Sequence, residues 1–332
     1  MTEASIIIAN FNGANLLEKY LPSVTSQQGI NYEVIVVDNA SADRSTELLK
    51  SSFPKVRLIS LPANKGFSAA VNAGIVAAKS NLIALLNNDA CPDPLWLKTL
   101  VTSANTHPNI GMFASRMMFA HRPEIVNSTG IEIDRAGIAW DRDSCSRTIG
   151  PNAEVFGPCG GAALYRRKLF EDIGVFDEQF FAYLEDVDLA WRAQSKGWRC
   201  LYISDAVVMH EHSATAFEGS PFKNFHLGRN KIWTIAKNYP IELLLLYMPA
   251  ILFFDLGSLP YTILSQRDLS GVRGRISAIK DMRSIMSKRS SVQSNATLNW
   301  TQVRSLMQPI QTPWTLFRRY RTLSTVLKMP PT

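Results

Sequence analysis

The first ninety residues alternate between short apolar runs and stretches with a helical apolar spacing. Each apolar run ends abruptly in polar, amide-rich sequence, which is typical of strands buried in a parallel sheet. We predict four strands, at residues 5–9, 33–37, 56–61 and 82–86. We predict three helices between them, at residues 14–25, 44–51 and 68–79. This alternation predicts an α/β fold in which helices cover a parallel sheet.

The fourth predicted strand, residues 82–86, ends in a cluster of amides and a carboxylate, Asn87, Asn88 and Asp89. Open α/β sheets bind ligands just beyond the carboxyl ends of their strands. A carboxylate there is a hard oxygen ligand suited to Mg²⁺ or Mn²⁺, which makes Asp89 a candidate metal ligand. An ordinary Asx turn is the alternative, because the proline-rich residues 91–94 follow.

Polar residues or glycine also follow the other predicted strands. The candidates for contact with a nucleotide are Asn10, Asn12, Asp38, Asn39, Asn64 and Gly66, with Asn72 on the next helix. Asp38 could accept hydrogen bonds from the imide N–H of uracil or thymine, or from ribose hydroxyls. Gly66 would let the backbone approach a phosphate or base closely. Each residue alone also fits turn chemistry, but strand ends of the same character predict one nucleotide-binding cleft.

The first strand is not followed by the glycine fingerprint G-x-G-x-x-G, and the sequence has no P-loop. The missing fingerprint therefore argues against a nucleotide-dependent oxidoreductase. Without a glycine-rich phosphate cradle, a divalent metal is the obvious means of neutralising a bound diphosphate.

Residues 157–166 contain an adjacent glycine pair, Gly160 and Gly161. Such a pair permits a close backbone approach to a ligand. A bend at the entrance of a strand explains the same glycines equally well, so both interpretations stay open at this point.

Residues 185–192, Glu-Asp-Val-Asp-Leu-Ala-Trp-Arg, form a charged cluster with helical spacing. On a helix Glu185 and Asp188 share one face, and Asp186 lies about 100° away. Arg192 can pair with Asp188 four residues earlier. Acidic residues in a first turn also suit the helix dipole, so this cluster alone does not identify a catalytic group.

Residues 199–203 and 206–209 predict two short strands, which lead into His210, Glu211 and His212. Two histidines around a glutamate at a strand end are a candidate site for metal or phosphate. A purely structural role for these histidines remains an equal alternative.

Length and cysteine content limit the class of protein. A chain of 332 residues suggests about two domains, or one large domain with an appendage. Its four cysteines form no C-x-x-C pair, which argues against a zinc ribbon or a disulfide framework and suits a reducing compartment. The first apolar run is too short for a signal peptide.

Charge divides the chain into two regions. Residues 1–212 have a net charge of −4, and residues 213–332 have a net charge of +11. The basic region could face nucleic acid or anionic lipid. The neighbouring apolar segment favours lipid over nucleic acid.

That apolar segment, residues 241–264, is long enough to span a bilayer, but Pro249, Asp255 and Pro260 interrupt it. We expect a re-entrant or interfacial helical hairpin, with a transmembrane or a buried helix as alternatives. Residues 272–289 are basic with helical apolar spacing, which predicts one amphipathic helix on a membrane surface. A soluble helical appendage that mediates dimerisation is the alternative.

Seven segments together resemble family 2 glycosyltransferases of the GT-A fold, particularly the rhamnosyltransferase-like members that extend bacterial surface glycans. The segments are 7–12 (Ile-Ile-Ala-Asn-Phe-Asn), 36–41 (Val-Val-Asp-Asn-Ala-Ser), 64–67 (Asn-Lys-Gly-Phe), 86–89 (Leu-Asn-Asn-Asp), 160–162 (Gly-Gly-Ala), 183–188 (Tyr-Leu-Glu-Asp-Val-Asp) and 210–213 (His-Glu-His-Ser). Each segment is weak evidence alone, but all seven occur in the family's order. The resemblance covers residues 4–240, and residues 230–240 resemble the segment that follows the family's catalytic domain.

The resemblance implies an inverting transfer of a sugar, with rhamnose favoured, from a dTDP- or UDP-sugar to a lipid-linked bacterial surface glycan. The nucleotide sugar would contact Asn10, Asn12, Asp38, Asn39, Asn64, Gly66, Asn72, Asn88 and Gly161. Asp38 would bind the base. Asp186, or with less support Glu185, would be the general base that deprotonates the acceptor hydroxyl.

The resemblance also implies a metal. Asp89 would be the last residue of the family's DxD-type motif and would meet the diphosphate through Mg²⁺ or Mn²⁺, with help from His210. Asn87 replaces the first aspartate of that motif, as in many rhamnosyltransferase-like members. The replacement keeps an alternative open, a non-catalytic nucleotide-sugar-binding paralogue that acts as a scaffold in glycan assembly.

The expected architecture is a GT-A catalytic domain at residues 1–240, a mixed sheet flanked by helices. A helical, basic, membrane-associated region follows at residues 241–332. The expected partners are the nucleotide sugar, a polyprenyl-linked glycan acceptor and the membrane surface, with no nucleic acid. We expect a cytoplasmic protein that is peripheral or re-entrant on the inner face of the membrane, and the oligomeric state stays open.

Overall fold

A computed structural model describes residues 2–211 and 219–331, without the side chains of residues 261, 262 and 264–266. His212 and Ser213, which belong to the predicted histidine motif, lie outside the described residues. The strands are β1 (Ala4–Asn10), β2 (Tyr32–Asp38), β3 (Arg57–Ser60), β4 (Leu82–Leu86), β5 (Ala90–Pro92), β6 (Ile110–Phe119), β7 (Arg122–Ser128), β8 (Ile131–Ile133), β9 (Ala139–Asp141), β10 (Ala153–Val155), β11 (Ala162–Arg166) and β12 (Arg199–His210). The helices are α1 (Ala14–Thr25), α2 (Ser45–Ser52), α3 (Gly66–Ala77), α4 (Trp96–Thr106), α5 (Arg167–Ile173), α6 (Glu185–Ser195), α7 (Pro221–Asn238), α8 (Ile241–Gln266), α9 (Ser270–Lys280), α10 (Met282–Asn295), α11 (Trp300–Ser305) and α12 (Pro313–Val326), with a 3₁₀ turn at Glu178–Phe180.

The central sheet is mixed, and its strands follow the order β10-β12-β6-β11-β4-β1-β2-β3. The first four strands pair in parallel, with β1 between β2 and β4 and with β3 beside β2. β11 runs antiparallel to both β4 and β6. β5 and β7 pair with β12 and β6, and β8 forms a separate hairpin with β9. This arrangement confirms the mixed α/β sheet.

Alternate residues of the central strands point into two cores, one on each side of the sheet. On β1, Ile6 and Ile8 pack with Leu17 of α1 and Trp96 of α4. Ile7 points to the opposite side, into the core that includes residues of α3, α5 and α6. Burial on both faces explains why the first strands are continuous apolar runs.

Local structure matches the predictions closely in the first ninety residues. All four predicted strands and all three predicted helices are present, with ends within two residues of those expected. The prediction of two strands at 199–209 was wrong. β12 is one strand, with an irregularity between Ile203 and Val207 that lets it follow β6 to its end.

The prediction of a helical hairpin at 241–264 was also wrong, because α8 is a single helix with Pro249 and Pro260 inside it. One side of α8 is buried through Leu243 and Ile251, in a cluster with residues of α7 and α11. Asp255, one of the two acidic residues of α8, is paired with Arg275 of α9 at 2.9 and 3.0 Å. Packing and charge pairing therefore offset what the two prolines cost the helix.

The stretch Ile241–Pro260 is long and apolar enough to cross a membrane by length and composition. The predicted amphipathic helix at 272–289 is divided into α9 and α10, with Asp281 between them. The division into domains at residue 240 and the membrane association stay predictions.

Candidate active site

A cleft of about 910 Å³ opens at the carboxyl ends of β1, β2 and β4. Ten residues predicted from the sequence line it, namely Asn10, Asn39, Asn64, Gly66, Asn88, Asp89, Gly161, Glu185, Asp186 and His210. Three others, Asn12, Asp38 and Asn72, are absent from the lining of this cleft. Most of the candidates therefore meet in one place, although they are distributed over two hundred residues of sequence.

Asp38 stands behind Asn10 at the ends of β1 and β2. Asn10 Nδ2 donates to Asp38 Oδ1 at 3.1 Å, and the backbone N–H of Ser41 donates to Asp38 Oδ2 at 3.0 Å. Asn88 Nδ2 donates to Asn10 Oδ1 at 2.9 Å. This chain of hydrogen bonds fixes the amides at the ends of β1, β2 and β4 relative to each other.

A second set of hydrogen bonds shapes the loop before α3. Asn39 Nδ2 donates to Asn64 Oδ1 at 2.9 Å and to the Gly66 carbonyl at 3.0 Å. Gly66 has a φ of +86°, and a Cβ there would lie 2.4 Å from the carbonyl oxygen of Phe181. Glycine is therefore required at this position both for the turn and for the close contact.

Asn12 and Asn72 bond to nearby backbone. Asn12 Oδ1 accepts from the N–H of Ala42 at 2.8 Å. Asn72 Oδ1 accepts from the N–H of Phe176 at 3.0 Å, and its Nδ2 donates to the Phe176 carbonyl at 2.9 Å. These contacts fasten loops around the cleft, and direct roles for both residues in ligand binding stay predictions.

Asp89 and His210 form a buried pair, with Asp89 Oδ1 3.1 Å from His210 Nε2. The other ring nitrogen, Nδ1, lies 2.7 Å from Asn127 Oδ1. Because an amide oxygen only accepts, Nδ1 donates to Asn127, which leaves Nε2 facing Asp89. A proton or a bound cation between Nε2 and the carboxylate would join the two groups.

The side chains at Asp89 suit a divalent ion that binds together with a nucleoside diphosphate. The described part of the chain contains no group of three or more His, Cys, Asp or Glu residues that could hold a metal ion. Within the described residues, the site at Asp89 thus offers one carboxylate and one imidazole. Mg²⁺ is commonly bound through one or two carboxylates together with substrate phosphates and water, so a nucleoside diphosphate could complete this site.

The base candidates lie at the start of α6. Asp186 accepts hydrogen bonds from the backbone N–H of Gly160 at 2.9 Å and of Val187 at 2.8 Å. Burial raises the pKa of Asp186 to about 6, and repulsion from Asp141 adds to this effect. The two hydrogen bonds act in the opposite direction but are outweighed. Burial and repulsion from Asp186 raise the pKa of Glu185 to about 8. At neutral pH the ionised member of the pair is therefore Asp186.

The third acid of the cluster, Asp188, has a structural role. Its Oδ2 accepts from Arg192 Nε and Lys237 Nζ, both at 3.0 Å, and its Oδ1 accepts from Asn238 Nδ2 at 2.8 Å. Burial opposes ionisation, but Lys237 and Arg192 outweigh it and lower the pKa of Asp188. The predicted pair of Asp188 and Arg192 is confirmed, and it helps to fix α6 against α7.

The glycine pair connects the two ends of the site. Gly160 donates its N–H to Asp186, and Gly161 accepts from the N–H of Asn87 at 2.9 Å. A Cβ on Gly161 would lie 2.9 Å from Met117 Cε and 3.2 Å from Asn87 Nδ2. One short segment thus touches both the base candidate and the strand end that carries Asp89.

Several lining residues escaped the sequence analysis. They are Asn127, Trp140, Asp141 and Lys223, together with Leu316, Arg319, Tyr320 and Leu323 of α12. Asn127 and Asp141 lie near or at the ends of β7 and β9, so a polar residue at a strand end was an available signal. No sequence signal placed α12 at the cleft.

Comparison with known proteins agrees with this geometry. The model of the family "Glycosyl transferase family 2" matches residues 5–174. An N-acetylglucosaminyl-diphospho-decaprenol L-rhamnosyltransferase of Mycobacterium tuberculosis is 25% identical over 241 residues, which cover 63% of this chain and 76% of the relative. The O-antigen biosynthesis protein RfbC of Myxococcus xanthus is 28% identical over 232 residues, which cover 64% of this chain and 18% of the relative.

Two solved structures share the fold. GalNAc-T7 with UDP, GalNAc and Mn²⁺ has a TM-score of 0.58 at 16% identity, and this chain spans about half of its length, with 71% of this chain and 48% of that chain covered. The mannosyltransferase PcManGT from Pyrobaculum calidifontis, in complex with GDP-Man and Mn²⁺, has a TM-score of 0.52 at 16% identity, with 88% of this chain and 85% of that chain covered. The family match extends over about half of the chain, and the chain therefore belongs to glycosyl transferase family 2, with the GT-A fold.

Proposed function

We propose that this protein is an inverting glycosyltransferase that moves a sugar from a dTDP- or UDP-sugar to a hydroxyl of a lipid-linked bacterial surface glycan. The observation that carries the proposal is the shared cleft of Asp89 and Asp186, bordered by the amide-rich ends of β1, β2 and β4. A metal candidate and a base candidate face the same space, as an in-line displacement at an anomeric carbon requires.

In this proposal Asp186 is the general base. Its carboxylate takes the proton from the acceptor hydroxyl as that oxygen bonds to the anomeric carbon. The bond between this carbon and the phosphate oxygen breaks, and the nucleoside diphosphate leaves with the bonding electrons. The hydrogen bonds from Gly160 and Val187 hold the carboxylate in place for this step.

Asp89 and His210 would hold the divalent ion, Mg²⁺ or Mn²⁺. When bound, the ion would neutralise charge on the donor diphosphate. Asn127 keeps the His210 ring oriented through Nδ1, so that Nε2 faces Asp89. Asn10, Asn39 and the residues bonded to them would hold the base and the ribose. Asp38 is among these residues through its hydrogen bond from Asn10, and its contact with the base stays a prediction.

Rhamnose is the favoured sugar and a polyprenyl-linked glycan the favoured acceptor. The Mycobacterium tuberculosis relative is named as a rhamnosyltransferase that acts on a diphospho-decaprenol, and its similarity extends over 63% of this chain. An acceptor of this kind is attached to a membrane, so the enzyme would work at the cytoplasmic face.

The surface of α8 supports a membrane-bound position. Leu245, Leu252, Phe253 and Leu256 of α8 are all about half exposed or more. The side chain of Asp255 is 13% exposed, and Arg275 and Lys231 pair with it. The helix thus has an apolar outer face beside a basic region, which suits peripheral binding to an anionic bilayer.

A donor panel tests the proposal. UDP-, dTDP- and GDP-sugars are titrated calorimetrically with Mg²⁺, and release of sugar from each donor that binds is then measured. We expect binding of a dTDP- or UDP-sugar and metal-dependent release. Tight binding of a donor without release of its sugar, with or without acceptor membranes, would favour the alternative of a non-catalytic scaffold. Asn87, in place of the first aspartate of the metal motif, is the feature that keeps this alternative open.

A further inference from the structure

The cleft has two halves, which the strand order separates. β1, β2 and β3 lie on one side of β4, and β11, β6 and β12 lie on the other. The first half is bordered by the amides of the proposed nucleotide site. The second half is bordered by the β8–β9 hairpin, the start of α6 and one face of α12. Because Asp186 lies in the second half, the acceptor would enter there.

Among the described lining residues of the cleft, two carry a positive charge at neutral pH through Lys or Arg. They are Lys223 of α7 and Arg319 of α12, and Arg319 borders the second half. The carboxylates of the lining are Asp89, Glu132, Asp141, Asp143, Glu185 and Asp186. Glu185 is neutral at pH 7, but the ionised members of this set would repel an anionic acceptor unless it met one of the two cations.

Arg319 is arranged to bind such an anion. Its guanidinium carbon lies 4.4 Å from the centroid of the Trp140 ring. Trp140 is itself held by Glu132, whose Oε2 accepts from the indole N–H at 2.8 Å. No carboxylate of the described residues forms an ion pair with Arg319. A guanidinium that contacts a ring keeps N–H groups available for the two oxygens of a phosphate.

The helix that carries Arg319 is hydrogen-bonded near both ends to other parts of the fold, at β8 and at the turn between β6 and β7. Before α12, the N–H of Gln308 donates to the carbonyl of Ile133 at 2.9 Å. At its end, His121 Nε2 donates to the carbonyl of Val326 at 3.1 Å. Arg319 is therefore held at the cleft by the fold itself.

The face of α12 that meets the cleft combines charge with apolar surface. Leu316 and Leu323 lie three residues before and four residues after Arg319, and both line the cleft. On the outer side of the helix, Trp314 and Phe317 are exposed by 64% and 40%. A phosphate group attached to a long apolar chain matches this combination.

Building on the proposed function, we propose that Arg319, stacked on Trp140, binds the diphosphate of the lipid-linked acceptor, and that Leu316 and Leu323 contact the start of its prenyl chain. Arg319 is then a specificity-determining residue. It favours acceptors on a prenyl diphosphate over the same glycan on a neutral carrier.

Farnesyl diphosphate serves as the probe, because the glycan of the acceptor is unidentified. Its binding to the full chain in detergent micelles is measured by calorimetry, with Mg²⁺ and saturating UDP or dTDP to fill the donor half. We expect Arg319→Gln to weaken binding about tenfold or more. Arg319→Lys should retain part of the affinity, and farnesol should bind equally to all variants.

Arg318→Gln is the matched control, since Arg318 is the exposed neighbour on the same helix and does not line the cleft. It should bind farnesyl diphosphate like the unmodified protein. The proposal is overturned if the unmodified protein does not bind the probe. It is also overturned if Arg319→Gln binds the probe as tightly as the unmodified protein does, or if Arg318→Gln loses as much affinity as Arg319→Gln. Competitive displacement of the probe by UDP would overturn it as well.

Nucleotide binding by the unmodified protein separates this proposal from the proposed function. If UDP, dTDP and their sugars fail to bind with Mg²⁺, the glycosyltransferase assignment fails. If they bind and release sugar while Arg319→Gln leaves the affinity for farnesyl diphosphate unchanged, only the role of Arg319 fails.

Discussion

Replacing Glu185 tests directly whether Asp186 or Glu185 is the general base. The replacement is expected to change the stability of the protein and to leave sugar transfer intact. The folded protein keeps Glu185 protonated up to a pKa of about 8, whereas the unfolded chain releases the same proton near 4.5. Because the folded state binds the extra proton, the free energy of unfolding falls as the pH rises from 4.5 towards 8. At about 1.4 kcal/mol per pH unit, this loss reaches about 3 kcal/mol at pH 7.

Glu185→Gln removes the ionisable group and keeps its shape. We therefore expect the variant to be more stable than the unmodified protein by up to about 3 kcal/mol at pH 7, with a rise in Tm of about 5 °C or more. The gain should disappear at pH 4, where both side chains are neutral. Sugar transfer should persist, because the proposed base is Asp186.

The assay is thermal unfolding of both proteins from pH 4 to pH 8, with transfer measured in parallel at pH 7. Glu171→Gln is the control, since Glu171 is an exposed glutamate on α5 and its replacement should leave Tm unchanged. Equal Tm differences at pH 4 and pH 7 would refute the buried neutral carboxyl. Loss of transfer in Glu185→Gln together with active Asp186→Asn would reverse the assignment of the base.

Three further predictions follow from the same geometry. The kcat/KM of transfer should fall about tenfold per pH unit below the pKa of Asp186, about 6, because the base is then protonated. Asn127→Leu should weaken Mn²⁺ affinity in the presence of nucleotide by about 10- to 100-fold, measured by electron paramagnetic resonance, because His210 loses its orienting partner. Phe253→Asp with Leu256→Ser should reduce sedimentation with anionic vesicles and leave Tm unchanged, because both side chains are exposed on α8.

Controls for these predictions come from other exposed residues. Asn152→Ala removes an exposed amide from the end of another loop and should not change Mn²⁺ affinity. Val76→Ser changes an apolar residue that is 80% exposed on α3 and should not change sedimentation. A rate that stays constant down to pH 5, an unchanged Mn²⁺ affinity in Asn127→Leu, or unchanged sedimentation would each contradict the corresponding prediction.

The first half of the fold was predictable from the sequence because its strands are buried on both faces. A continuous apolar run such as Leu82–Leu86 fits a strand that is buried on both faces and does not fit an exposed strand. The polar residues after such runs mark the edge of the sheet where the cleft lies. The acidic cluster could not be divided in the same way. Only the positions of Lys237 and Asn238 on α7 show that Asp188 is structural, and these residues are 49 and 50 positions away.

The C-terminal part was harder to predict because its partners are distant in sequence. Asp255 looks like an isolated charge in an apolar segment, but Arg275 pairs with it from α9, 20 positions later. Arg319 of α12 contacts Trp140 of β9, and no sequence pattern near either residue predicts that contact. Tertiary packing, which a single sequence does not display, decides both positions.

The central claim is that Asp89 and Asp186 serve opposite ends of one reacting bond. Its most direct test is a comparison of Asp89→Asn and Asp186→Asn in two assays, calorimetric binding of the donor with Mg²⁺ and transfer to membrane acceptors. We predict that both variants lose transfer, that Asp186→Asn still binds donor and metal, and that Asp89→Asn binds them weakly. Transfer by both variants at the rate of the unmodified protein would contradict the account.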